Sequence, residues 1–374
     1  MERDGRRSVL VVGGGIGGLT AATALRRLGH RVELVELRGD WTVSGWGLSL
    51  TGPALRALDA LDLAEPCLAL GYGITKIAHC DGAGHVRTVI DLPGLLGEGR
   101  PSQSGIARPD LARVLREAAE KHGATLRTSL TVTRLGDESD GVRAELSDGT
   151  TRDVDLVVVA DGVGSRTRAL LGFTEKPEYN GQMVWRAVVP RPAWADRLFT
   201  FAGTTHNAGL IPVSSESAYC FLTENTPVQE PLPDGELATR MRELLAPFGG
   251  RVAEVRESIV DAGAVVRRPV RTVLVEAPWH RGRTVLLGDA AHTPSPQLVS
   301  GAALAIEDAV VLAQELERHA ETAGALEAFS SRRIERARLV VEASREIARL
   351  EQADRHGEVY ELQGRCHGAL AAPT

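Results

Sequence analysis

Gly13, Gly15 and Gly18 stand in a GxGxxG spacing directly after the apolar run Ser8 to Val12, with Ile16 and Gly17 completing the turn. Glycines at these places permit a tight turn, close approach of backbone to a pyrophosphate, and tight packing of a helix on a strand. The N-terminus of that helix stabilises phosphate charge. Glu36 closes the next apolar run, where a carboxylate bonds a ribose diol, and Leu37 and Arg38 follow at the same edge. Two more aspartates end apolar runs: Asp161 in Asp-Gly-Val-Gly-Ser165-Arg-Thr-Arg168, and Asp289 in Gly288-Asp-Ala-Ala-His292. The carboxyl ends of strands are where open α/β sheets bind ligands. One such aspartate need only cap a helix; two of them downstream of a dinucleotide fingerprint make capping alone a poor account.

The elements that position these residues follow from period and punctuation. A strand over 8–12, a helix over about 16–28 capped by Gly29, and a strand over 31–36 form a βαβ opening. Pro53 opens a helix over 54–61, and Pro109 opens one that ends near Lys121-His122-Gly123. Residues 71–92 read as short strands with an Asp81-Gly82 hairpin, and 124–160 as strands ending in the buried run 155–160. A second strand-rich stretch, 176–276, breaks at Thr205-His206-Asn207 and Ser214-Ser215-Glu216 and carries a helix over about 235–246. A strand over 284–287 and helices over 302–319 and 326–349 complete the chain. The arginine- and glutamate-rich last helix reads as a solvated face with i,i+4 ion pairs. The expectation is an α/β fold. A discontinuous Rossmann-like domain (1–71, 98–175 and 277–374) carries an inserted β-sheet substrate domain (72–97 and 176–276) and C-terminal helices.

Composition removes other classes. With 374 residues, 43 basic and 49 acidic side chains and a formal charge of -6, nothing draws the chain to nucleic acid or an anionic membrane. Cys67, Cys80, Cys220 and Cys366 lack CxxC or Cys/His spacing, which predicts free thiols, no metal site and a reducing, cytoplasmic setting. No run approaches the ~20 apolar residues of a membrane span, and the first is too short for a secretory signal.

Taken in order, GxGxxG, D-G-x-x-S-x-x-R and G-D-A-A-H resemble the flavin-dependent aromatic hydroxylases of the p-hydroxybenzoate hydroxylase class, the single-component FAD monooxygenases, over essentially the whole length. The resemblance implies FAD as cofactor and NADH or NADPH and O2 as co-substrates. The substrate would be an aromatic or electron-rich small molecule, hydroxylated through a flavin C4a-hydroperoxide. It assigns Glu36 to the ribose of FAD, Asp289 to the ribityl and pyrophosphate region, Asp161 and Arg168 to FAD and the nicotinamide nucleotide, and Arg108 to the flavin side. Pro296 is the family proline that borders flavin and reaction centre. Many members continue G-Q-G-x-N where this chain has Val299-Ser300-Gly301-Ala302-Ala303, so Gly301, Ala302 and Ala303 would serve the flavin through backbone N–H groups. Trp185-Arg186 resembles a W-R on a strand leading into the substrate domain; Arg186 is a candidate for a substrate carboxylate or the flavin, and His206 a candidate base. A related flavin halogenase would carry W-x-W-x-I-P, which Trp185-Arg-Ala-Val-Val-Pro190 does not match. The same motifs are also compatible with a reductase of related fold and with a non-catalytic flavin-binding protein.

Overall fold

A computed structural model describes residues 6–41 and 46–374, so 1–5 and 42–45 of the expected nucleotide domain lie outside the described residues. Its centre is a six-stranded sheet in the order His280–Arg281, Thr284–Leu286, Leu156–Val159, Ser8–Val12, Arg31–Val35, Thr125–Arg127. All neighbours are parallel except the first pair. The central strands read as unbroken apolar runs because both faces are covered: Leu10, Val11, Val157 and Val158 are fully buried. The helix Ile16–Arg27 packs between the helices Arg108–Lys121 and Gly301–Arg318. An antiparallel meander, Val132–Glu138, Gly141–Leu146 and Thr151–Val154, contributes Val142, Ala144 and Leu146 to the same core.

The second layer is an eight-stranded sheet, ordered His292–Thr293, Val265–Leu274, Glu178–Pro190, Ser217–Asn225, Asn207–Pro212, Leu198–Ala202, Lys76–Asp81, Val86–Asp91. Its two faces alternate with period two. Trp185, Phe199, Phe201, Leu210 and Cys220 pack under the helices Leu237–Leu245 and Gly250–Ser258. Leu198, Ile211 and Tyr219 face the other way, toward the nucleotide domain. A three-stranded sheet, Gly47–Leu50, Gln103–Ala107 and Tyr72–Ile74, joins the two layers. A Cβ on Gly105 would stand 2.0 Å from the carbonyl oxygen of Pro212, so only glycine allows this approach.

The α/β architecture and the order of the expected elements match the sequence reading, which has no counterpart for the strands Gly47–Leu50 and Gln103–Ala107 and differs from the structure in four helices. The helix Ala64–Leu70 forms although Pro66 interrupts its apolar pattern, because proline is tolerated in a first turn. The helix Gly250–Ser258 replaces part of the strand-rich stretch. The helix read as 326–349 runs from Thr322 to Gln352, and it is followed by the helix His356–Ala371. No described helix is long and apolar enough to cross a membrane.

Candidate active site

The glycine turn is built by contact. A Cβ on Gly18 would lie 1.9 Å from the carbonyl oxygen of Gly13, and one on Gly13, at φ +107°, would lie 2.4 Å from that of Ala160. Gly15 N-caps the helix that starts at Ile16, with no side-chain cap bond. A Cβ there meets nothing within 4 Å, so the first-turn N–H groups open onto free space. Gly17 packs its Cα side toward Leu287 and Ala305. Glu36 reaches back to this turn: Oε2 accepts the Gly14 N–H at 2.6 Å and Oε1 the Arg38 N–H at 2.9 Å. Leu37 and Arg38 are exposed beside it.

Asp161 leaves the next strand. Its Oδ2 accepts the Thr167 N–H at 3.2 Å and hydroxyl at 2.9 Å, while Oδ1 is buried without a partner. Ser165 caps the helix Arg166–Leu170 by accepting the Arg168 N–H. The Arg168 side chain turns inward, 4% exposed, and donates to the carbonyls of Ala290 at 2.9 Å and Val163 at 3.1 Å. Arg168 therefore clamps the two aspartate segments together through these two backbone acceptors.

Asp289 is exposed on the turn that follows Thr284–Leu286. Protein mass around it raises its carboxyl above the usual range, against the opposing pull of His292 and Arg108. Gly288 donates its N–H to Asp308 Oδ2 at 2.9 Å, and His292 Nε2 donates to the same oxygen at 2.7 Å. Arg333 Nε donates to Asp308 Oδ1 at 2.7 Å, and its guanidinium also reaches Glu307 at 3.1 Å. Burial pushes Asp308 upward, but His292 and Arg333 hold it down to about 2. Asp308 thus fixes the backbone that carries Asp289. The reading of the 326–349 helix as a solvated ion-paired face misses Arg333, which is fully buried; its partners Glu307 and Asp308 lie on another helix, so no spacing within its own helix signals them.

Pro296 begins a short turn, Pro296–Leu298, that ends at Val299 with φ +52°. Gly301 starts the following helix, its N-cap Ser300 donating instead to the Leu298 carbonyl at 2.7 Å. Ala302 follows at the mouth of the crevice, whereas Ala303 is buried in the core. Arg108 begins its helix in the open, with Asp289 and Arg186 as electrostatic neighbours. Arg186 is half-buried on the face of the second sheet that looks at the nucleotide domain; desolvation lowers its pKa, and no carboxylate among the described residues pairs with it. His206, in contrast, has Glu224 and Arg240 as charged neighbours on the helix-covered side, and burial lowers its pKa. Arg108 is thus a charged neighbour of both Asp289 and Arg186, and none of the three is among the charged neighbours of His206.

An uncapped helix N-terminus with free space before it, a buried unpartnered carboxylate oxygen at Asp161 and a carboxylate at the end of the second strand fit an extended dinucleotide such as FAD, its flavin lying toward Pro296 and Gly301. Known proteins agree with this fit. A family model described as FAD binding domain matches residues 6–344. The chain is 31% identical over 368 residues to the putative FAD-dependent monooxygenase YetM of Bacillus subtilis (strain 168), covering 97% of this chain and 99% of that protein. It is 33% identical over 314 residues to the 2-heptyl-3-hydroxy-4(1H)-quinolone synthase of Pseudomonas aeruginosa, covering 82% and 80%. The crystal structure of Klebsiella pneumoniae HpxO complexed with FAD and uric acid superposes with a TM-score of 0.84 at 26% identity, over 98% of this chain and 93% of that one. On sequence, fold and site together, the chain belongs to the FAD-dependent monooxygenases.

Proposed function

We propose that the chain is a hydroxylase that consumes NADH or NADPH and O2 and acts on an aromatic or other electron-rich small molecule. The observation that carries this reading is Arg108 as the shared charged neighbour of Asp289, on the nucleotide domain, and of Arg186, on the second sheet, where no carboxylate among the described residues pairs with Arg186. When bound, FAD supplies transfer of electrons from the nicotinamide nucleotide and activation of dioxygen. The chain's own groups do the rest. Gly13, Gly15, Ile16, Gly17, Gly18 and Glu36 hold the pyrophosphate and ribose end, with Leu37 and Arg38 at its rim. Asp161, Gly288 and Asp289 hold the middle. Arg108, Pro296, Gly301, Ala302 and Ala303 border the flavin. Arg186 orients an oxygen of the substrate that carries negative charge, such as that of a phenolate or an enolate. The division into a nucleotide domain (1–71, 98–175, 277–374) and a substrate domain (72–97, 176–276) is part of the same reading. The relatives named for a quinolone and complexed with uric acid support a nitrogen heteroaromatic ring.

Anaerobic reduction of the FAD-loaded protein, followed at the flavin absorption band, tests this. NADH and NADPH are each added with and without 4(1H)-quinolones, phenols and urate. Stimulation by one ring class, followed by a hydroxylated product in air, is the expected result. Bound FAD that neither nucleotide reduces with any ring overturns the reading.

A further inference from the structure

Beside the flavin end lies a cleft of about 590 Å3 of atom-free space, part of it open to solvent. Its walls come from elements far apart in sequence: Ile77 and Leu198 on the second sheet, Leu95 on the loop after Val86–Asp91, Leu298 before the helix Gly301–Arg318, and Leu370 and Ala371 on the last helix. Leu198, Leu298 and Leu370 are each at most 4% exposed. The described lining contains no Asp, Glu, Lys or Arg. Two of its polar groups are satisfied within the protein: Ser102 donates to the Leu92 carbonyl at 3.0 Å and Ser300 to that of Leu298 at 2.7 Å. Burial lowers the pKa of its one titratable side chain, His367.

The roof is fixed in place. Arg56 donates to the carbonyls of Ala371 at 2.7 Å and Ala372 at 2.8 Å, and Arg336 donates to that of Leu370 at 2.7 Å. Tyr360 packs on His79 with ring centroids 4.9 Å apart. Val359, Cys366 and Leu370 bury against Val340 and Ile347 of the preceding helix. A preformed apolar cleft without charge, continuous with the segment 298–300 that borders the flavin, favours an uncharged saturated group and disfavours an ionised one.

We infer that this cleft is a subsite for an uncharged aliphatic substituent of the substrate, which lies beneath the last helix while the ring to be hydroxylated occupies the crevice at Arg186. The inference rests on the ring-hydroxylase reading for where the ring sits. Binding is read from the flavin difference spectrum of the FAD-loaded protein, titrated with 4(1H)-quinolones bearing 2-methyl, propyl, pentyl and heptyl chains and with the matching 4-alkylphenols. The dissociation constant falls by about two- to fourfold per added CH2 in at least one series. An ω-carboxylated heptyl analogue in that series binds at least about tenfold more weakly than the heptyl compound. Ala371→Trp and Leu95→Trp, which fill the cleft from opposite walls, remove the increment and leave the methyl compound within about twofold of wild type. Three results overturn the subsite: affinity independent of chain length in both series, a carboxylate tolerated at the chain end, or no binding by any member. Increments that appear while no ring is hydroxylated keep the subsite and count against the hydroxylase reading instead.

Discussion

Val299 is a β-branched residue in a conformation that its side chain disfavours. Among the described residues, Asp62, Ser129 and Asp354 also adopt positive φ, but Asp and Ser have short polar side chains that bond locally, and Val299 at φ +52° has none. By the resemblance to the hydroxylase class, this position corresponds to the first glycine of G-Q-G, the residue type that suits a positive φ. Val299→Gly therefore relieves strain. After the entropy cost of glycine, the expected gain is about 1 kcal/mol or less, read as a higher urea midpoint at unchanged slope. A midpoint equal to or below wild type contradicts it. Ser300 follows the same logic from the other side: its hydroxyl bonds the Leu298 carbonyl rather than the helix N-terminus, which leaves those N–H groups to a ligand.

The short helix Arg166–Leu170 and the turn Gly288–Ala290 are separate in sequence, and Arg168 ties them through the Ala290 and Val163 carbonyls. Arg168→Met removes both donors and leaves two acceptors unsatisfied. Because Ala290 adjoins Asp289, the FAD dissociation constant rises by about tenfold or more, measured by dialysis and flavin fluorescence. Reduction of the FAD-loaded fraction by nicotinamide nucleotide stays within about twofold. Unchanged FAD retention rejects the clamp. The DG and GD motifs were visible as strand-ending aspartates, and each was placed correctly at the sheet edge. What could not be read was the direction of Arg168. A side chain with five donors serves a ligand or a carbonyl equally well, and the contact with Ala290, more than a hundred residues on, is visible only in the fold.

Two buried titratable groups make the stability of the whole molecule depend on pH. His30 is 4% exposed, accepts the Arg7 N–H at 3.2 Å, and is brought down to about 4 by burial and by Arg7. The unfolded chain has a histidine near ~6.5, so between these values it binds more protons than the folded one. Stability is then full above ~6.5 and falls by up to about 3 kcal/mol as the pH drops to 4. Asp308, at about 2 in the fold against ~3.9 unfolded, adds stability that is lost below that range. Urea midpoints between pH 7 and 4 therefore decline, and His30→Gln flattens that decline; a wild-type profile as flat as the variant's contradicts the assignment. Asp308 also shows how distant parts are joined. Gly288, His292 and Arg333 meet on one carboxylate, while Glu307 beside it takes Arg333 and Arg336. The buried network thus links the Asp289 turn to two helices.

By itself the sequence determined the α/β class, the order of most elements, the glycine turn and the two aspartate segments. These depend on local rules: an apolar run buried on both faces, a glycine where a Cβ would collide, a carboxylate at a strand end. Tertiary structure alone decided that Arg186 faces the nucleotide domain while His206, in the turn between Leu198–Ala202 and Asn207–Pro212, has Arg240 of a covering helix as a charged neighbour. A strand alternates its side chains, but which face meets the site depends on what packs on the other face, here the helices Leu237–Leu245 and Gly250–Ser258. It likewise decided that Arg333 is buried and that the last helix roofs a cleft. Both follow from packing between segments whose spacing in sequence carries no record of their contact.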